Sequence, residues 1–191
     1  MAKSYGGIRV VGVVTPNGIT ANWLQFQQLL ATGLYDTDRS YFSPSGAYVL
    51  YQRGHRFHPE EIEAAEAMAD HGINVKLTSE GGHENITATS SKGNNKYSEG
   101  RVGLEELTFE QSTPSTPPSP DRAAKAVNKA LEHAKKKRSE VAVLYDRNGF
   151  FHRTDIDAGI KEYEKHQSNT LRFKAILVIS KDKKVYEWTH N

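Results

Sequence analysis

The sequence contains no cysteine, which removes disulfide scaffolds, thiolate zinc sites and cysteine nucleophiles together. It lacks any stretch approaching the roughly 20 apolar residues that span a bilayer. Its start, MAKSYGGIRVVGVV, has none of the basic, then apolar, then small order of a signal peptide. The absence of a Walker A sequence, of GxGxxG and of a serine nucleophile motif argues against nucleotide-triphosphate, dinucleotide and acyl-serine chemistry. Hydrophobic residues are 37% of the 191 and mean hydropathy is −0.66. That suits one globular domain of ordinary size, or a core domain with an accessory segment. The expectation is a soluble protein made in the cytoplasm, with no membrane partner.

The charge that is present is unevenly spread. Residues 1–120 hold 9 Lys+Arg against 13 Asp+Glu and residues 121–191 hold 16 against 10, so the two parts carry −4 and +6. Such a split sets a basic wall beside a cluster of carboxylates, as is wanted where a polyanion is held near bound cations; a solvated helix face is the plainer reading.

Ile8 to Val14 (IRVVGVV) reads as a β-branched strand closed by Pro16-Asn17-Gly18, and Asn22 to Leu34 as a helix with Trp23, Phe26, Leu29 and Leu30 at helical spacing. Ala47 to Gln52 reads as a second strand, so residues 1–55 form an N-terminal strand-helix-strand extension and 56–191 the main domain. His58-Pro59-Glu60-Glu61 opens a helix striped by Ile62, Ala65, Met68 and Ala69 and ended by Gly72. INVKL (73–77) alternates like a strand. Residues 78–100 are polar, with Gly81-Gly82 and Lys92-Gly93-Asn94-Asn95 as turn signals. Val102 to Gln111 shows two alternating halves out of phase, which a bulge or break near Glu105-Glu106 reconciles. A helix over Asp121 to Lys137, the strand VAVLY (141–145), a helix over Asp155 to His166 and the strand AILVI (175–179) imply a parallel crossover, with a turn and VYEWT closing a hairpin.

Three smaller constellations have two readings each. His55 and His58 beside Glu60 and Glu61 are a metal pair or an exposed loop pair. Lys135-Lys136-Lys137-Arg138 complements a helix dipole or touches phosphates. Tyr163, Tyr186 and Trp188 stack on bases or pack in the core.

A helix with Glu61-Ile62, Ala65, Met68-Ala69 and Gly72, then INVKL, a polar turn, a strand ending in an acid and a proline, a helix, VAVLY, a helix, AILVI and a closing KKVYEW hairpin together resemble the CdiA C-terminal tRNase domains. These are the toxin tips of bacterial contact-dependent growth inhibition, and the same domain type resembles appendages of phage and mobile-element head proteins. The resemblance covers roughly residues 60–189. It implies an α/β fold with a mixed sheet flanked by helices, a PD-(D/E)XK nuclease-like core behind the N-terminal extension.

Phosphodiester cleavage needs a cation to neutralise phosphoryl charge and supply a water of lowered pKa, hence hard oxygen ligands converging at a strand edge. On the resemblance, Glu61 is the helix acid, Glu99 in Ser98-Glu99-Gly100 the turn acid and Glu110 in FEQSTP the strand acid, together holding Mg²⁺ or Mn²⁺. Ser112 stands in the catalytic position where the family has lysine, and serine precedes Glu99 where the family has proline. Lys125 or Lys129 from the following helix would then supply the missing charge, Gln111 being the weaker substitute. Lys125, Lys129 and Lys136 are the expected contacts to RNA or DNA. The implied function is a metal-dependent nuclease acting on tRNA, other RNA or DNA, of the toxin kind, delivered into another cell and paired with an immunity protein. The alternative is a catalytically inactive nucleic-acid-binding or structural module of a phage or mobile element.

Overall fold

The computed structural model describes residues 8–79, 98–167 and 172–188. The turn signals at Gly81-Gly82 and Lys92 to Asn95 lie outside them. Eight strands form a single sheet: β1 (Tyr41–Phe42), β2 (Tyr48–Tyr51), β3 (Val75–Leu77), β4 (Gly100–Val102), β5 (Leu107–Ser112), β6 (Val141–Tyr145), β7 (Ala175–Ile179) and β8 (Val185–Glu187). Each strand lies beside its neighbour in sequence. Four helices cover it: α1 (Ile19–Ala31), α2 (Pro59–Asp70), α3 (Ala123–Lys136) and α4 (Arg153–Lys165). The pairs β2–β3, β5–β6 and β6–β7 are parallel and are joined through α2, α3 and α4; the other four pairs are antiparallel. The mixed α/β architecture is the one expected.

Chemistry explains the central strands. VAVLY and AILVI are buried at every position, as continuous apolar runs must be when helices cover both faces. Val141, Val143 and Tyr145 join the core under α2, together with Met68 and Phe109. Ala142 and Leu144 join the core under α3 and α4, with Val127, Leu131 and Ile160. Pro59 takes the first turn of α2, and a reciprocal cap with His58 holds Glu61 in place, its carboxylate accepting the His58 amide at 2.6 Å.

The out-of-phase halves of 102–111 are the two arms of a hairpin. Residues 103–106 form the turn, and Glu106 there adopts a left-handed φ of 54°. The segment 8–14, expected as a strand, forms none. It meets two turns and a side chain: Val11 O accepts Leu104 N–H at 2.9 Å, Val14 N–H donates to Gly72 O at 2.7 Å, and the Glu187 carboxylate accepts Arg9 N–H at 2.6 Å. β-Branched composition favours extended backbone, but a ladder needs a free strand edge. Gly103 makes the approach feasible, because a Cβ there would lie 1.9 Å from Val11 O.

Residues 41–51, within the expected extension, supply two strands of the common sheet, and α1 is tied to the turn before β3. Asn22 Nδ2 donates to Asn74 Oδ1 at 2.8 Å, and Asn74 Nδ2 returns a bond to Asn22 Oδ1 at 2.9 Å. Both residues are buried, so each amide satisfies the other.

α3 and α4 pack at very short range. A Cβ on Gly159 would stand 2.5 Å from both Ala124 O and Val127 Cβ. Gly159→Ala should therefore lower the urea midpoint: overpacking costs about 1–3 kcal/mol, more than the roughly 1 kcal/mol that alanine gains in a helix. An unchanged or raised midpoint would show that the helices separate freely.

Candidate active site

The β4–β5 ladder runs Val102↔Leu107, Arg101↔Thr108, Gly100↔Phe109, and Glu99 N–H donates to Phe109 O at 3.0 Å. Glu99, which precedes β4, and Glu110, which follows Phe109, are thereby brought near one another. Like charges brought together are destabilising, and Glu110 is only 3% exposed. Glu99 Oε2 accepts the Gln111 amide at 2.8 Å. Burial first, then the charge of Glu110 and to a lesser degree that of Glu61, push the Glu99 carboxyl well above the usual carboxylate range, against the opposing pull of the Gln111 amide and the Lys137 ammonium.

Glu61 from α2 and Glu110 from β5 are thus electrostatic neighbours of Glu99, which precedes β4. Glu61 is also occupied by its cap to His58, and Glu110 Oε1 lies 3.1 Å from His133 Nε2 on α3. Among the described residues, no three His, Asp or Glu side chains are gathered closely enough to hold a metal ion as they stand. The donor chemistry nevertheless suits a hard cation: two neighbouring carboxylates, Glu99 and Glu110, of which Glu110 is buried. Gln111 Nε2 donates to Glu60 O at 3.1 Å and to Thr113 Oγ1 at 2.9 Å. Alternation along β5 puts Gln111 toward α2 and Glu110 toward α3.

Ser112 is turned to α3, its hydroxyl donating to Ala130 O at 3.5 Å. Lys125, Lys129 and Lys136 are exposed, and none bonds to the carboxylates. The side chains that face the acids are instead His133, which the sequence reading did not single out, and Lys137, which it read only as part of the basic run 135–138. His133 follows Lys129 by four positions on the same exposed face of α3, so helical spacing alone does not distinguish it from the lysines. The histidine pair separates, since His58 caps α2 while His55 packs edge-on against Phe57 at 4.6 Å. Tyr163 and Trp188 are core residues.

A second cluster, not anticipated, borders the same helix. Glu63 on α2 accepts Tyr145 OH at 2.9 Å, Arg147 Nε and a second guanidinium nitrogen at 3.0 and 2.7 Å, and Lys183 Nζ at 3.0 Å. Lys183 also donates to Tyr145 OH at 2.5 Å. Burial raises the Glu63 pKa, but the bonds from Arg147, Lys183 and Tyr145 outweigh it and bring the carboxyl down to about 2. This is a bidentate, charge-assisted lock between α2 and the carboxyl ends of β6 and β7.

No family model matches the sequence, and no curated protein matches it. A solved chain of the CdiA-CT/CdiI toxin and immunity complex from Burkholderia pseudomallei superposes with a TM-score of 0.46 at 15% identity, over 72% of this chain and 96% of that one. Similarity that slight carries no argument about activity. No helix among the described residues is long and apolar enough to cross a membrane.

The two carboxylates give opposite pH responses. A carboxyl whose pKa is raised on folding contributes stability below its unfolded value, and loses that contribution as pH rises through the raised native value; Glu99 is of this kind. Glu63 contributes above its unfolded value and loses it as pH falls toward about 2. Glu99→Gln keeps an acceptor for the Gln111 amide and deletes the charge, so its melting midpoint should exceed that of wild type near about pH 8 and approach it on acidification. A variant less stable at every pH would contradict the crowding of charge at Glu99.

Proposed function

We propose that the protein is a metal-dependent, nuclease-like domain of the toxin kind acting on RNA or DNA, with Glu99, Glu110 and Glu61 as its acidic centre. The observation that carries this reading is the Glu99–Glu110 pair, whose mutual repulsion a divalent cation would relieve. Bound Mg²⁺ or Mn²⁺ supplies charge neutralisation at phosphoryl oxygens and a water of lowered pKa. The chain's own residues do the rest. The Gln111 amide orients Glu99, His133 orients Glu110, and Lys137 adds a positive field at the pair. Lys125, Lys129 and Lys136, outward on α3, would hold phosphates by charge, without reading sequence. The partner of such a toxin in its own cell would be an immunity protein.

A specific observation favours a second reading. With Ser112 turned to Ala130 O, the β5 position two beyond Glu110 offers no cation to developing charge. The chain would then be a non-catalytic binding or structural module, of a phage or mobile element, that keeps the fold.

Incubation with total tRNA, single-stranded and duplex DNA in Mg²⁺ or Mn²⁺ separates the two. Cleavage by wild type that Glu110→Gln reduces by 10²-fold or more, with the fold intact and with a Mn²⁺-dependent rise in the wild-type melting midpoint, supports the nuclease. Substrates left uncut, or cut equally by Glu110→Gln, retire the catalytic assignment. Salt-dependent binding that persists without cleavage supports the second reading, and Lys125→Ala with Lys129→Ala should then flatten the salt slope by roughly one unit per lost phosphate contact.

A further inference from the structure

We infer that the groove at the C-terminal end of α3 is a phosphate-binding site. It is an open depression of about 380 Å³ between the end of α3 and the start of β7. Among the described residues, three cationic side chains line it without a counter-ion. Lys135 Nζ meets only the neutral Gln167 amide oxygen, at 2.6 Å. The Arg138 and Arg172 guanidinium groups make no hydrogen bond or ion pair with any described residue. A fourth, Lys174, is spoken for by Glu140 at 2.7 Å. Glu140 also lines the groove, but its carboxylate is engaged by Lys174, so Lys135, Arg138 and Arg172 leave the groove net positive, and a net positive groove concentrates an anion.

Two further observations point the same way. Ser139, 7% exposed and lining the groove, has a buried hydroxyl with no hydrogen-bond partner among the described residues, and an unpaired buried hydroxyl is costly unless something else accepts or donates. Arg138 occupies a strained place. Ser139 N–H returns to Ala134 O at 3.4 Å and Arg138 N–H to Lys135 O at 2.9 Å, the double bond pattern that ends a helix at a left-handed residue. That residue is normally glycine, yet here it is Arg138 at φ 56°. A long cation kept where glycine is easier, at the mouth of an anion-deficient groove, is the pattern of strain retained for binding. Phosphate, with several acceptor oxygens, satisfies the guanidinium donors and the hydroxyl together.

The test uses the full chain in metal-free buffer with chelator, so that it is independent of the carboxylate site. Two probes are titrated calorimetrically: inorganic pyrophosphate and a 5′-phosphorylated single-stranded RNA of about twelve nucleotides. Saturable binding of either supports the site; pyrophosphate alone identifies a free phosphate compound as its ligand, while the RNA, alone or in addition, identifies a strand. Arg138→Gly should melt at or above the wild-type midpoint while weakening binding at least fivefold, a combination that lost folding cannot produce. Arg172→Ala should weaken binding similarly, and the pair together should flatten the RNA salt slope by about 1.4. Lys181→Ala, at the opposite end of β7, should change affinity less than twofold. Absence of saturable binding to both probes, binding by Arg138→Gly and Arg172→Ala equal to wild type, or an equal loss in Lys181→Ala would overturn the proposal.

Discussion

Backbone pairing holds Glu99 and Glu110 together against their own repulsion. The β4–β5 ladder fixes Gly100 opposite Phe109, and Glu99 N–H bonds to Phe109 O, so the hairpin keeps the two residues flanking this rung, Glu99 and Glu110, near each other. β5 is in turn pinned by its parallel register with β6, where Glu110 lies beside Ala142. Strand pairing is thus set against electrostatics, and the raised Glu99 pKa is where the cost is registered. The Gln111 amide and the His133 ring offset part of it. A proton or a cation offsets the remainder.

α2 couples this centre to the remainder of the sheet. Its first turn brings Glu61 within electrostatic reach of Glu99, and its Glu60 carbonyl receives Gln111. One turn on, Glu63 is gripped by Tyr145, Arg147 and Lys183 from the ends of β6 and β7. Two glutamates near the same helix therefore have opposite fates: Glu63, on α2, is surrounded by donors that bring its pKa down to about 2, while Glu99, before β4, faces other acids. Environment decides, because all three are the same side chain.

Much of the frame was legible in the residues. Apolar runs such as VAVLY and AILVI read as buried parallel strands, and His58-Pro59-Glu60-Glu61 read as a helix start, because those signals are local. The phase change inside 102–111 marked the hairpin turn for the same reason. The segment 8–14 misled because β-branching reports extended backbone and says nothing of whether a strand edge is available. The Glu63 cluster was invisible because its partners lie 82 and 120 residues away. Likewise the sequence named Glu61, Glu99 and Glu110 through a resemblance, but only the hairpin register sets Glu99 against Glu110. The lysines first considered, Lys125 and Lys129, face outward; His133, four residues beyond Lys129 on the same exposed face, reaches Glu110 from there, and helical spacing alone does not distinguish it from the lysines.

Carboxyl-carbon NMR titration of Glu99 and Glu110, with and without Mg²⁺, tests the account at its centre. The crowding of charge requires Glu99 to titrate well above the ordinary glutamate range in metal-free protein, and its pKa to fall when Mg²⁺ is added. If Glu99 titrates in the ordinary range and Mg²⁺ leaves both carboxyls unmoved, the acids are not a coupled pair and the cation-binding centre built on them does not exist.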